Sequence, residues 1–119
     1  RYYNRPNPIY DKNNIFVGIL KNYEESNMLP IDANWCIMNN PKRFDEFCSN
    51  GKVGYYIVNK NMETPYRYVI AIVSNGEVEY WDSKNCRMSE LPDEIKRFKQ
   101  YESTLPYEVK QIFYNEAAK

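Results

Sequence analysis

The three cysteines, Cys36, Cys48 and Cys86, are the strongest candidates for nucleophilic chemistry in this chain. A thiolate is reactive at neutral pH only beside a base or a positive charge. The sequence contains no histidine, which removes the usual base of a cysteine nucleophile and the commonest zinc ligand. Cys36 lies in an apolar run and Cys48 on an apolar helix face, so we interpret both as structural. Cys86 lies near Lys84 and Arg87 in a polar loop, and it is the candidate reactive thiol.

The carboxylates do not form a recognisable acid–base or metal site. Asp45 and Glu46 fall on a predicted helix, and Glu77 and Glu79 share one face of a predicted strand, which is typical of a solvated surface. None has the spacing of a calcium loop, and the cysteines form no zinc knuckle. The scattered glycines form no phosphate loop. We therefore predict no catalytic residue, cofactor or metal, while an enzyme with a cysteine–carboxylate site stays open as an alternative.

Tyrosines beside arginines are the candidate binding residues, in a chain with 12 tyrosines. They are Tyr2, Tyr3, Arg5, Tyr66, Arg67 and Tyr68. Tyrosine combines apolar area with a polar tip and concentrates at interfaces, which indicates a surface for a protein partner. The same residues could stack on single-stranded nucleic acid. That alternative is disfavoured, because basic and acidic residues balance at 16 each and nucleic-acid binders usually carry a basic excess.

Length and cysteine usage favour one intracellular domain. A chain of 119 residues suits a single domain, which we assign to 1–119. An odd cysteine count without a close pair argues against a disulfide framework and favours a reducing, cytoplasmic setting. No apolar run is long enough to span a membrane, so no membrane association is predicted. Because the first residue is Arg1, we expect further residues to precede it.

The elements that would position these side chains form an α+β domain with a mainly antiparallel sheet of about five strands. Residues 1–14 are rich in asparagine, proline and tyrosine and predict an extended, irregular arm. Residues 15–85 predict the sheet core. Its strands are Ile15–Leu20, Ala33–Met38, Val53–Asn59, Tyr66–Ser74 and 78–82. Asn75-Gly76 predicts a two-residue hairpin turn between the last two strands.

Three helices complete the prediction. Helix 41–49 is inserted in the sheet core, with Asn40 as N-cap, Pro41 in the first turn and Asn50-Gly51 at its end. Residues 89–118 contain two Leu-Pro helix starts, and they predict a C-terminal helical pair. The predicted core consists of Phe16, Val17, Ile19, Trp35, Ile37, Phe44, Phe47, Tyr56, Val58, Val69, Ile72, Trp81, Ile95, Phe98, Val109 and Ile112.

The block from Asn14 to Asn85 carries a pattern of aromatic residues and glycine. Its members are Trp35-Cys36-Ile37, Phe44, Phe47, Gly51, Tyr55-Tyr56-Ile57-Val58, the strand from Tyr66 to Val73, and Trp81-Asp82. In this pattern the chain resembles a domain of uncharacterised bacteriophage and mobile-element proteins. The resemblance implies a viral or mobile-element origin and no particular activity. Together with the tyrosine clusters, it leads to our hypothesis of a non-enzymatic accessory factor that binds a host or defence protein in the cytoplasm.

Overall fold

The structure is a computed structural model that describes residues 7–12, 14–27, 29, 33–63, 66–88 and 112. Within these ranges the chain forms six strands and two α-helices. The strands are β1 (Asn7–Lys12), β2 (Ile15–Leu20), β3 (Lys52–Asn59), β4 (Tyr68–Ser74), β5 (Glu77–Trp81) and β6 (Arg87–Met88). The helices are α1 (Tyr23–Asn27) and α2 (Pro41–Cys48), preceded by a 3₁₀ turn at Cys36–Met38. The predicted C-terminal helical pair lies outside the described residues, apart from Ile112.

The sheet is an antiparallel meander in which each strand pairs with the next one along the chain, in the order β1 to β6. Strand β3 lies between β2 and β4, and its residues from Gly54 to Asn59 are buried. A strand buried on both faces is continuously apolar, as Tyr55-Tyr56-Ile57-Val58 is. The prediction of an α+β domain with a mainly antiparallel sheet is thus confirmed in its broad form.

Asparagine and glycine supply the left-handed backbone that the tight connections need. Asn75 and Gly76 have φ angles of 51° and 79° in the β4–β5 turn, so the predicted hairpin is confirmed. Gly51, with φ of 88°, follows α2 as expected. At the other end of α2, the Asn40 side chain accepts a hydrogen bond from the Lys42 backbone N–H at 2.9 Å. These local signals were sufficient to place both elements.

The predicted strand Ala33–Met38 is wrong. Residues 33–35 have no regular structure and Cys36–Met38 is a 3₁₀ turn. Strand β2 pairs directly with β3, from Ile15 opposite Asn59 to Leu20 opposite Gly54, which leaves no place for a strand between them. The apolar side chains of this segment instead lie over the sheet, where Trp35, Ile37 and Met38 are buried.

The prediction of an irregular arm is also corrected where the structure describes it. Asn7–Lys12 forms β1, which pairs with β2 through a register shift between Pro8 and Tyr10. Proline is tolerated in such a strand because it lies at the edge of the described sheet, where a missing N–H breaks no central ladder. Residues 1–6 lie outside the described ranges.

Buried side chains cover both faces of the sheet. On the first face, sheet residues pack against the segment 21–48; this core includes Phe16, Trp35, Ile37, Phe44, Tyr56, Val58, Tyr68, Ile70 and Ile72. The opposite core includes Val17, Tyr55, Ile57, Val69, Ala71, Tyr80 and Ile112. The Tyr80 hydroxyl donates a hydrogen bond to the Ile112 carbonyl at 2.8 Å, which holds Ile112 against β5. Of the other predicted core residues, Ile19, Phe47 and Trp81 are half-buried, and Ile95, Phe98 and Val109 lie outside the described residues.

Candidate functional site

Several aromatic residues of the Trp-Cys and Tyr-Tyr pattern pack together with Phe16 and Tyr68 in one buried cluster. Tyr56 lies at its centre, with ring centroids 6.0 Å from Trp35 and 6.4 Å from Phe16 in edge-to-face contacts. Tyr68 stacks on Tyr56 at 6.4 Å with an interplanar angle of 7°. Such pairs add about 0.5–1.5 kcal/mol beyond the area they bury. These rings therefore build the core on this face of the sheet.

The Trp-Cys pair and the late aspartate of the same pattern meet in space. The Trp35 indole N–H donates to the Asp82 carbonyl at 2.6 Å. The Asp82 carboxylate accepts from the backbone N–H groups of Lys84 at 2.9 Å and Cys86 at 3.0 Å, which closes the loop after β5. Trp35 is thus fixed between the sheet and this loop, and Cys36 is held beside β4 and β5.

Helix α2 reaches only part of the sheet face beneath it. It packs on the 3₁₀ turn at Cys36–Met38 and, within the sheet, on β3, where Cys48 lies over Gly54. A Cβ atom at Gly54 would lie 2.7 Å from the Cys48 sulfur, so the missing side chain allows the helix to sit this close. Across the sheet, Gly54 is followed by Ile72 on β4 and Glu79 on β5. Since directly opposed residues share a face, the α2 side of β5 presents Glu77, Glu79 and Trp81.

A groove lies between α2 and strands β4 and β5, and we call it the α2–β5 groove. It consists of two cavities of about 260 and 230 Å³ that share Phe47 of α2 and Ile72 of β4. The first cavity is also lined by Lys52, Ser74, Asn75, Glu77 and Glu79. The second is also lined by Trp35, Cys36, Arg43, Ile70, Trp81 and Asn85. The groove therefore has an apolar middle and charged residues towards its ends.

Trp81 and Phe47 form the half-buried aromatic part of the groove. Their ring centroids lie 6.4 Å apart with an interplanar angle of 65°. The Trp81 indole nitrogen is buried and has no hydrogen-bond acceptor among the described residues. A buried donor without an acceptor costs about 1–3 kcal/mol. Both rings line the second cavity, where they can contact an apolar group.

The charges on the two walls differ in how they are compensated. On the α2 side, Arg43 forms an ion pair with Glu46 at 2.8 Å, and the Lys52 ammonium lies 3.4 Å from the Glu46 carbonyl. On the β5 side, the Glu79 carboxylate is 3.9 Å from Arg87. Glu77 is exposed, and no ion pair joins it to another described residue. The first cavity is therefore lined by two carboxylates, Glu77 and Glu79, and by one ammonium, Lys52, whose hydrogen bond is to a neutral carbonyl.

The cysteines have three different environments. Cys86 is exposed, with its sulfur 3.8 Å from the Lys84 carbonyl, and Cys36 is half-buried in the groove wall. Burial, with a smaller contribution from Cys36, raises the pKa of Cys48 from 9.0 to about 12. The Cys48 thiol is therefore protonated and unreactive at neutral pH. Among the described residues no group of three or more cysteine, aspartate and glutamate side chains is arranged to hold a metal.

The structure places two of the predicted binding tyrosines, Tyr66 and Tyr68, in different environments. Tyr66 is 41% exposed, whereas Tyr68 is 2% exposed and stacks on Tyr56 in the core. Strand β4 begins at Tyr68, so Tyr66 belongs to the preceding turn, where its N–H and that of Arg67 bond the Glu63 carbonyl. Of Tyr66 and Tyr68, Tyr66 is therefore the one that is exposed to solvent. Tyr2, Tyr3 and Arg5 lie outside the described residues.

The groove residues were not singled out as a site by the sequence. Phe47 and Trp81 were assigned to the core, and Glu77 and Glu79 to a solvated face. One signal was present, since the alternation of β5 already places Glu79 and Trp81 on the same face. A large aromatic residue beside carboxylates on one strand face indicates a boundary between core and solvent, which is where a groove can open.

Comparisons with known proteins found no matching protein family, no matching curated protein and no matching solved structure. The viral or mobile-element origin implied by the residue pattern therefore stays a prediction. No helix in the described part of the chain has the length and hydrophobicity needed to cross a membrane.

Proposed function

We propose that this chain is a non-enzymatic protein-binding domain and that its α2–β5 groove receives an apolar side chain of the partner. The observation that carries the proposal is the pair of adjoining cavities that share Phe47 and Ile72, next to the half-buried Trp81. Concave apolar surfaces with a few polar groups are the usual binding sites of proteins. Aromatic residues at such places supply much of the binding energy in protein interfaces.

The shape of the groove suits side chains of a protein segment. Its two cavities measure about 260 and 230 Å³ and share Phe47 and Ile72, so each can receive one or two side chains of the same segment. The groove also has no thiol paired with a histidine base, which a cysteine enzyme normally uses. Its thiol is Cys36, and the sequence contains no histidine to activate it.

The resemblance to bacteriophage and mobile-element domains extends the proposal to the kind of partner. On that basis the partner is a protein of the bacterial host, such as a defence protein, met in the cytoplasm. The neutral formal charge of the chain supports a protein partner over single-stranded nucleic acid, which remains the alternative for the segment that contains Tyr2, Tyr3 and Arg5.

A random-peptide display library panned on immobilised protein tests the proposal. Two variants alter the groove in opposite ways: Phe47→Ala removes an anchor ring, and Ser74→Tyr fills the first cavity without removing a core contact. Tyr66→Ala is the matched control, since it truncates an exposed aromatic residue in the turn before β4. Circular dichroism and a thermal melt establish that each variant is folded.

We expect peptides selected on the wild-type protein to bind Tyr66→Ala equally well and to lose binding to both groove variants. Loss on Tyr66→Ala with retention on Phe47→Ala and Ser74→Tyr would instead place the binding surface at the β3–β4 turn. If no peptide distinguishes wild-type protein from the groove variants, the proposal is wrong.

A further inference from the structure

We infer that the partner segment is basic as well as apolar: an apolar anchor next to a lysine or arginine that lies against Glu77 and Glu79. This inference rests on the proposed function and adds the chemistry of the partner. The two carboxylates are on the same face of β5 and line the cavity that adjoins the Phe47 and Trp81 rings. A segment whose apolar side chain packs on these rings therefore places its neighbouring residues close to the two carboxylates.

Strand geometry makes these carboxylates a suitable site for one cation. Residues two apart on a strand are separated by about 7 Å, which is close enough for one guanidinium or ammonium group to lie between two flexible glutamate side chains. The cation would share the cavity with Lys52, whose ammonium lies 3.4 Å from the neutral Glu46 carbonyl and forms no ion pair with a described residue. The charged groups that line this cavity are therefore two carboxylates and one ammonium, and the excess of negative charge favours a positive group on the β5 wall.

The α2 wall of the groove also favours a cation over an anion on the partner. Arg43 is already engaged with the Glu46 carboxylate at 2.8 Å, so an acidic partner residue would have to compete for it. Among the described residues, Glu79 has one cation, Arg87 at 3.9 Å, and this contact is longer and therefore weaker than the Arg43–Glu46 pair at 2.8 Å. A cation on the partner gains more than an anion does in this groove.

The test uses the peptides selected on the full chain and a charge-neutral variant, Glu77→Gln/Glu79→Gln. This change keeps the size and shape of both side chains and removes their charge. Glu63→Gln is the matched control, because Glu63 is an exposed carboxylate in the β3–β4 connection. Binding of a selected peptide is measured by Trp81 fluorescence, with Trp81→Phe reporting the signal that comes from Trp35.

We expect selected peptides to share an apolar residue with a lysine or arginine within two positions of it. The double glutamine variant should bind them about tenfold more weakly, and Glu63→Gln should bind them as the wild-type protein does. Replacing the peptide cation by glutamine should weaken binding to the wild-type protein but not to the double variant. Raising the salt concentration from about 0.05 to 0.5 M should reduce the difference, because exposed charges are screened.

Two kinds of outcome overturn the inference and leave the groove as a binding site, whereas a third ends both proposals. In the first, selected peptides lose binding to Phe47→Ala and Ser74→Tyr and yet carry no cation, or bind the double glutamine variant as well as the wild-type protein. Either result would leave the groove as a binding site and show that the partner segment need not be basic. A wild-type dimer in sedimentation that Ser74→Tyr converts to a monomer would make a second copy the occupant. If no peptide depends on the groove, both proposals fail.

Discussion

Replacing Gly54 by alanine should destabilise the domain, although alanine is normally the better residue in a strand. The added Cβ would lie 2.7 Å from the Cys48 sulfur and 3.5 Å from a Leu20 methyl group. The second distance is ordinary contact, whereas the first is shorter than real Cβ atoms show. The substitution therefore forces α2 and β3 apart or moves the Cys48 side chain to another rotamer.

The size of the effect follows from two opposing contributions. Overpacking a core position costs about 1–3 kcal/mol. Removing glycine from the middle of a strand stabilises by about 0.5–1 kcal/mol. We therefore expect Gly54→Ala to lower the free energy of unfolding by about 1 kcal/mol, the middle of the two ranges, and by at most about 2.5 kcal/mol, measured by equilibrium urea denaturation.

A second substitution shows whether the contact is the cause. Cys48→Ala removes the sulfur, so Gly54→Ala should cost much less in that background. The double-mutant cycle should give a favourable coupling of about 1–2 kcal/mol. Equal effects of Gly54→Ala with and without the sulfur would refute the reasoning, because the helix would then not rest on the strand through this contact.

Three further predictions follow from the site. Trp35→Phe should lower the free energy of unfolding by about 2–3 kcal/mol in urea denaturation, because it removes the hydrogen bond to the buried Asp82 carbonyl and leaves a small cavity; a change below 0.5 kcal/mol would contradict it. In timed alkylation followed by mass spectrometry, Cys86 should react first, Cys36 next and Cys48 last; early modification of Cys48 would show that its burial is wrong. Because the pKa of Cys48 is raised from 9.0 to about 12, the unfolded thiol ionises before the folded one. Stability should therefore fall above pH 9, by about 1.4 kcal/mol at pH 10, and Cys48→Ala should lack this part of the loss.

Local signals in the sequence were sufficient for the middle of the fold. Asn75-Gly76 determines the β4–β5 hairpin because both residues accept a positive φ. Asn40-Pro41 determines the start of α2 through an N-cap and a proline in its first turn. These elements could be predicted because a few neighbouring residues decide them.

The remaining elements depend on contacts between distant residues. The apolar run from Trp35 to Met38 has the same composition whether it pairs in a sheet or lies over one, and the direct pairing of β2 with β3 decides between the two. The α2–β5 groove opens because α2 rests on Gly54 of β3 and leaves the outer strands partly uncovered. Neither fact is readable from neighbouring residues.

The two tryptophans provide the most direct test of the groove as the binding site. The chain has two indole N–H groups: Trp35 donates to the Asp82 carbonyl in the core, whereas Trp81 lines the groove. In ¹⁵N-labelled protein titrated with a peptide selected on the wild-type chain, the account predicts that the Trp81 indole signal shifts and the Trp35 signal stays. Unchanged indole signals, with shifts confined to Tyr66 and its neighbours, would contradict the central claim that the partner binds in the α2–β5 groove.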